Sequence, residues 1–106
     1  MALAEVKANK DVKGKLRFSL LPIVALREIV KVFEFGAKKY GDFNWRKGRD
    51  WSNYYDATHR HITAFWNSED RDEESGLLHL AHAGCCIMIL LSFQVLGIGK
   101  DDRWKG

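Results

Sequence analysis

Between residues 75 and 99 the sequence, SGLLHLAHAGCCIMILLSFQVLGIG, contains no Asp, Glu, Lys or Arg. At 3.6 residues per turn its apolar side chains point in every direction, so the helix it forms needs cover all round, from other helices or from a second subunit. About 20 apolar residues also span a bilayer. Here, however, His79, His82, Ser92 and Gln94 interrupt the run and no second span accompanies it, so a membrane is not the expected partner. Cysteine is nearly absent. The two that occur, Cys85 and Cys86, are adjacent and lie inside the apolar run, which excludes a disulfide framework and points to a reducing compartment. Also missing are a P-loop, a GxGxxG turn, a Ser-His-Asp order, an internal repeat, a recognisable strand and a charged-then-apolar leader with a cleavage site. A cytoplasmic, all-α protein is the expectation.

What is present fills out a small helical bundle of about three main helices with a basic N-terminal arm. Residues 1–14 are polar and Lys-rich and read as the arm, residues 15–99 as one helical domain, and residues 100–106 as a polar tail that strands Trp104. Pro22, the sole proline, suits the first turn of a helix. From there Ile23, Leu26, Ile29, Val30, Phe33 and Ala37 recur at i,i+3,i+4 to about residue 39. Gly41 is expected to close that helix in a left-handed conformation. A second helix is expected over residues 53–67 with Ser52 as its N-cap and Asp56 paired with Arg60. Four Trp, three Tyr and six Phe in 106 residues exceed what so short a chain hides easily, since a domain of this size buries only about 60–70% of its unfolded surface. A homo-oligomer, dimer or tetramer, is therefore expected.

Several groups stand out as chemistry. Glu28 falls outside the main stripe of the first helix, beside Val24, Val32 and Phe35, as a carboxylate either at a subunit contact or in a site; Glu34 is the weaker candidate. The loop DFNWRKGRD at residues 42–50 carries an amide, an indole and three cations, able to stack a base and hold phosphates, although Trp45 also suits the end of a bundle as a plug. The run of cations before the first acidic cluster fits a phosphate-bearing partner or a solvated surface; nothing resembles a helix that reads nucleic acid. His61 lies on the apolar face of the second helix, as a core imidazole or a ligand. His79 and His82, spaced i,i+3, share a face, and with Cys86 form a weak transition-metal pattern. The acidic turn SEDRDEES serves either the dipole of the next helix or as hard oxygen ligands for Mg²⁺. An antiparallel pair of helices joined by this turn sets Glu69 and Asp72 at one end of the interface, with His61, His79 and His82 further along it.

Three motifs in order, Lys15-x-Arg17 leading into the Pro22 helix, FGAKKYG-x-x-NW-x-x-G at residues 35–48, and RH-x(7)-ED-x-D-x-x-SG-x-x-HLAHA at residues 60–83, resemble the phage and bacterial dATP/dGTP diphosphohydrolase N-terminal domain family. That resemblance implies cleavage of a purine (deoxy)nucleoside triphosphate to monophosphate and pyrophosphate, kinship with the all-α, MazG-like nucleotide pyrophosphohydrolases, and a Mg²⁺ or Mn²⁺ cofactor. It implies Glu28, Glu69 and Asp72 as metal or base carboxylates, Lys15, Arg17, Lys39 and Arg60 around phosphates, and Tyr40, Asn44 and Trp45 against the base. His61 joins Glu28 and Asp72 as a catalytic candidate, and His79 and His82 join the substrate-binding set. A phage-encoded protein would act in the host cytoplasm. One departure stands out: the MazG-like enzymes present Glu-x-x-Glu and Glu-x-x-Asp pairs, whereas Glu28 and Glu34 are six apart and the last helix offers His79-x-x-His82. A protein that binds and sequesters a cyclic or signalling nucleotide is the alternative.

Overall fold

The computed structural model describes residues 13–106, and every regular element in them is helical. Helix α1 spans Ile23–Tyr40, α2 spans Trp51–Trp66 and α3 spans His79–Leu96, with short 3-10 turns at Phe18–Leu20 and Asn44–Lys47. Extended pairing among the described residues is limited to two isolated bridges, Asp50 with Lys100 and Arg71 with Leu78. The all-α expectation holds. Residues 1–12 of the expected basic arm lie outside the described residues.

Local chemistry sets the helix ends. The Pro22 carbonyl accepts the N–H groups of Ala25 and Leu26, so α1 starts directly after the proline. At the other end Gly41 has φ 97° and ψ 157°, a positive φ but an extended ψ, which differs from the left-handed cap expected. The chain therefore leaves α1 in an extended direction. Gly97, with φ 68° and ψ 38°, supplies the left-handed cap of α3 instead. Ser52 is not the N-cap of α2: the helix begins at Trp51, and the Ser52 N–H and hydroxyl both donate to the Asp102 carboxylate.

The residues after α3 are thus a strap. Trp51 N–H donates to the Lys100 carbonyl at 2.9 Å, Lys100 N–H donates to the Arg49 carbonyl at 3.2 Å, and the Trp51 indole N–H reaches the Ile98 carbonyl at 2.9 Å. Gly99 permits this crossing, because at φ +78° a Cβ there would collide with the Arg49 carbonyl oxygen. The strap fixes the end of the loop between α1 and α2.

Helix α3 is the centre. Val32, Ala81, Cys85, Ile89 and Phe93 form the buried cluster, with Ile29, Phe33, Trp45, Trp51 and Tyr54 packed around it. Phe93 is wholly buried, with the Tyr54 ring edge-on at 5.4 Å. Gly84 brings α1 close, since a Cβ there would fall 2.8 Å from Ile29 Cδ1. Both α1 and α2 pack on α3 and scarcely on each other, which leaves a wedge between them. Leu80, Ile87, Met88, Leu91 and Val95 of α3 remain exposed within one chain, so the cover expected for the uncharged run is only half supplied. By length and composition α3 is also apolar enough to cross a membrane. Asp56 and Arg60 make no ion pair; both border a small polar cavity.

Gly99→Ala is expected to lower stability by about 1–3 kcal/mol, the cost of a strained backbone position, in urea denaturation. Gly36→Ala, helical and with open space around its Cβ, is expected to raise it by about 0.4–1 kcal/mol.

Candidate functional site

The turn between α2 and α3 folds back on itself. Ser68 takes a left-handed φ of 70°, Glu69 N–H donates to the Ala64 carbonyl, Asp72 N–H to the Leu77 carbonyl, Gly76 N–H to the Asp72 carbonyl and His79 N–H to the Asp70 carbonyl. Asp72 Oδ2 accepts the Ser75 N–H at 2.9 Å, and Ser75 Oγ accepts the Leu77 N–H at 3.1 Å. These bonds shorten α3, which starts at His79 rather than near residue 75, and they carry two carboxylates onto the imidazoles. Glu69 Oε2 lies 2.6 Å from His79 Nε2, His79 Nδ1 lies 2.8 Å from His61 Nδ1, and His82 Nε2 lies 2.7 Å from Ser75 Oγ. The His61 and His82 rings stack at 4.6 Å with planes 11° apart.

A carboxylate only accepts, so His79 Nε2 carries a hydrogen. In the neutral ring Nδ1 is then the lone-pair nitrogen, and His61 Nδ1–H donates to it. Burial lowers the pKa of His61, helped by the neighbouring His82 and His79, and burial lowers that of His82. Burial pushes Asp72 upward, but the Ser75 N–H and hydroxyl outweigh it and leave the carboxyl below its usual range. Asp72 is thus anionic beside neutral imidazoles. Among the described residues, His61, Asp72 and His79 bring one ligand atom each to within 4.8 Å of one another.

The wedge between α1 and α2 is a cavity of about 600 Å³ that meets this cluster along His61 and His82, within the usual range for small-molecule sites. Phe35, Tyr40, Phe43, Trp45 and Tyr54 give it aromatic walls, while Glu34, Lys39, Asn44 and Arg49 give it polar groups. Arg46 stacks on Phe43, its guanidinium carbon 4.0 Å from the ring centroid. Lys39 lies over the Tyr40 ring and is ion-paired with Glu74 of the acidic turn. A smaller polar cavity of about 190 Å³ shares the walls Arg49, Tyr54 and Ala57 and adds Asn53, Asp56 and Arg60.

Most of the candidate residues gather here. Lys39, Tyr40, Asn44, Trp45, His61 and His82 line the main cavity, Arg60 lines the adjoining one, and Asp72, His79 and Glu69 form the cluster behind. Trp45 packs on the core, as a plug would, and also lines the cavity. Lys15 and Arg17 are exposed ahead of α1 and line neither cavity. Glu28, Glu69 and Asp72 do not converge as a ligand trio: Glu28 is bound to Lys31 at 2.9 Å and is absent from the cavity wall. The reason is axial. Glu28 shares the Val32 and Phe35 side of α1 but lies ahead of the later turns, Val30 to Tyr40, that border the cavity, whereas Glu34 lies within them. Cys86 does not join His79 and His82; it lines the cavity beside Cys85, whose thiol burial pushes up to about 12. Arg49 and Tyr54 were not singled out in the sequence, although Arg49 sits in the cation-rich loop that was.

An all-helical domain with a nucleotide-sized cavity, flanking guanidiniums and a histidine–carboxylate cluster is the class that fold and site define. The chain belongs to the family described as dATP/dGTP diphosphohydrolase, N-terminal, which it matches over residues 5–103. It is similar to the dATP/dGTP diphosphohydrolase of Salmonella phage PMBT28, 36% identical over 96 residues that cover 88% of this chain and 32% of the relative. The chain therefore spans about a third of the length of that curated relative. No solved structure matches it significantly.

The lowered pKa values of His61 and His82 fix the sign of a pH effect. Their unfolded value is near 6.5, so the unfolded chain binds more protons, and the stability they contribute is complete above that pH and lost as pH falls through the folded values. In metal-free protein the unfolding free energy is expected to decline on acidification from pH 6.5, and His61→Gln is expected to flatten the slope. Asp72 contributes in the same sense only at lower pH, below its ordinary 3.8. Urea titrations across this range measure both.

Proposed function

We propose that the domain takes part in hydrolysis of a purine deoxynucleoside triphosphate to monophosphate and pyrophosphate, using Mg²⁺ or Mn²⁺. The observation that carries this reading is the meeting, along His61 and His82, of an aromatic-walled cavity with the histidine–carboxylate cluster. Family membership and the printed name of the phage relative support the same substrate class. Tyr40, Phe43 and Trp45 offer faces on which a base stacks, and Asn44 offers an amide for its edge. Arg49, between the two cavities, and Arg60 beside it supply guanidiniums for phosphate oxygens.

The chemistry a divalent cation supplies when bound is polarisation of the phosphate and acidification of a water. Asp72 is the carboxylate of the cluster that would hold it, since Glu69 is bound to His79, and the anionic state of Asp72 suits that task. Glu34 is assigned the part expected of Glu28, as the α1 carboxylate that borders the cavity and is able to accept the proton of an attacking water. Glu34→Gln is expected to cut kcat by about 10²- to 10⁴-fold, while Glu28→Gln, which breaks only an exposed pair with Lys31, leaves it unchanged.

The test is to incubate the protein with purine and pyrimidine nucleotides and either metal, denature it and separate what is recovered. A turnover of about 1 per second consumes a roughly thousandfold excess within an hour. Recovery of intact ligand in an amount matching the sites, with no product under either metal, would overturn hydrolysis in favour of sequestration. The separation of Glu28 from Glu69 and Asp72 is the observation on the side of that second reading. We further infer a homo-oligomer, from the exposed apolar face of α3. Light scattering at micromolar concentration is expected to give at least a dimer mass, and a monomer mass would refute it.

A further inference from the structure

We propose that His61, His79 and Asp72 form a site for one resident transition-metal ion of the Mn²⁺, Fe²⁺, Co²⁺ or Zn²⁺ class, distinct in chemistry from the Mg²⁺ that accompanies a triphosphate. The inference stands whether or not the ligand of the cavity is cleaved.

Geometry comes first. The two imidazole nitrogens, His61 Nδ1 and His79 Nδ1, point at each other across 2.8 Å. Two nitrogens that share an ion at about 2.0–2.1 Å are roughly 3 Å apart, so exchanging the bridging proton for a cation needs only a few tenths of an ångström of opening. Asp72 completes the set, with all three ligand atoms inside 4.8 Å. Its Oδ2 is engaged by the Ser75 N–H, which leaves Oδ1 for an ion.

Support behind the ligands is already built. Glu69 accepts from His79 Nε2 at 2.6 Å, which places the hydrogen on Nε2 and the lone pair on Nδ1, the carboxylate–histidine–metal arrangement that fixes ring orientation and raises ligand basicity. His82 stacks on His61 and is tied to Ser75 Oγ, so it is a positioning residue that holds the His61 ring plane. The turn that carries Asp72 is fixed by its own backbone bonds. His79 is 5% exposed, whereas His61 faces the cavity, so an ion here is enclosed on the protein side and open toward the cavity. Three protein ligands with an open position is the pattern of a reactive site rather than a structural one.

Donor chemistry selects the ion. Two imidazoles and one carboxylate suit borderline cations, whereas Mg²⁺ demands a shell of hard oxygens. Neither cysteine is within the ligand group, and the burial-raised Cys85 thiol is not a thiolate.

The experiment uses the whole chain, stripped with a chelator, with Co²⁺ as the probe. Visible absorption and equilibrium dialysis are expected to give one Co²⁺ per chain, retained against a hundredfold excess of Mg²⁺ and displaced by Zn²⁺. His61→Gln and Asp72→Asn are expected to lose the bound Co²⁺ while keeping the helical circular dichroism, and Glu69→Gln to weaken affinity about 10- to 100-fold at unchanged stoichiometry. His59→Gln, exposed against Tyr55, is expected to bind as wild type. No Co²⁺ uptake by the wild type, displacement by Mg²⁺, or full binding by both His61→Gln and Asp72→Asn would each overturn the proposal. Should His61→Gln fail to fold, Asp72→Asn and Glu69→Gln decide it alone.

Discussion

The constraint from which the rest follows is that α3 carries apolar side chains on every face and no charge between residues 75 and 99. A single α1 and a single α2 cannot surround such a rod. They pack on two of its sides and barely on each other, and the angle left between them becomes the cavity. The same arithmetic leaves Leu80, Ile87, Leu91 and Val95 on the far side in water. The cavity and the uncovered face are therefore two consequences of one shortage of cover.

The imidazoles of α3 both lie in its first turn, and that localises the site. His79 and His82 occupy the end where the helix meets the folded turn, and the turn brings Glu69, Asp72 and Ser75 back onto them. Burying an imidazole as fully as His79 costs free energy unless each nitrogen is satisfied. Glu69 satisfies one and His61 the other, so the residues that stabilise the helix start are the same ones that create a candidate metal set. The strap from Ile98 to Asp102 acts at the opposite end of the wedge, fixing Arg49 and the loop that holds the aromatic wall.

Much of this was legible in the sequence because it rests on periodicity and local chemistry. The apolar stripe and Pro22 define α1, and the uncharged run defines the central helix. What periodicity could not supply was the reach of the cavity and closure. Glu28 and Glu34 both flank the stripe of α1, and choosing between them depends on how far along α1 the cavity reaches, a tertiary fact with no local signal. Ser52 looked like an N-cap because its own neighbours allow it; the group that engages it, Asp102, lies fifty residues away. The acidic turn allowed two readings, charge for the helix dipole or oxygen ligands, and its backbone folds so that Asp72 and Glu69 lie against the histidines.

The presence of histidines at the start of α3 becomes intelligible in these terms. A pair of carboxylates at residues 79 and 82 would stand against Glu69 and Asp72, where the imidazole nitrogens now lie 2.6 Å and 4.0 Å from them, four like charges in a half-buried pocket, tolerable only with cations always present to offset them. Imidazoles, which carry no negative charge, remove that repulsion. They turn Glu69 from a competitor for metal into the acceptor that orients His79, and they leave the cluster internally hydrogen-bonded when empty of ligand. The cost is a change in what the cluster can hold, from ions that want oxygen to ions that accept nitrogen. A domain built this way keeps a stable first turn in its central helix and a preorganised donor set with the same six side chains, His61, Glu69, Asp72, Ser75, His79 and His82.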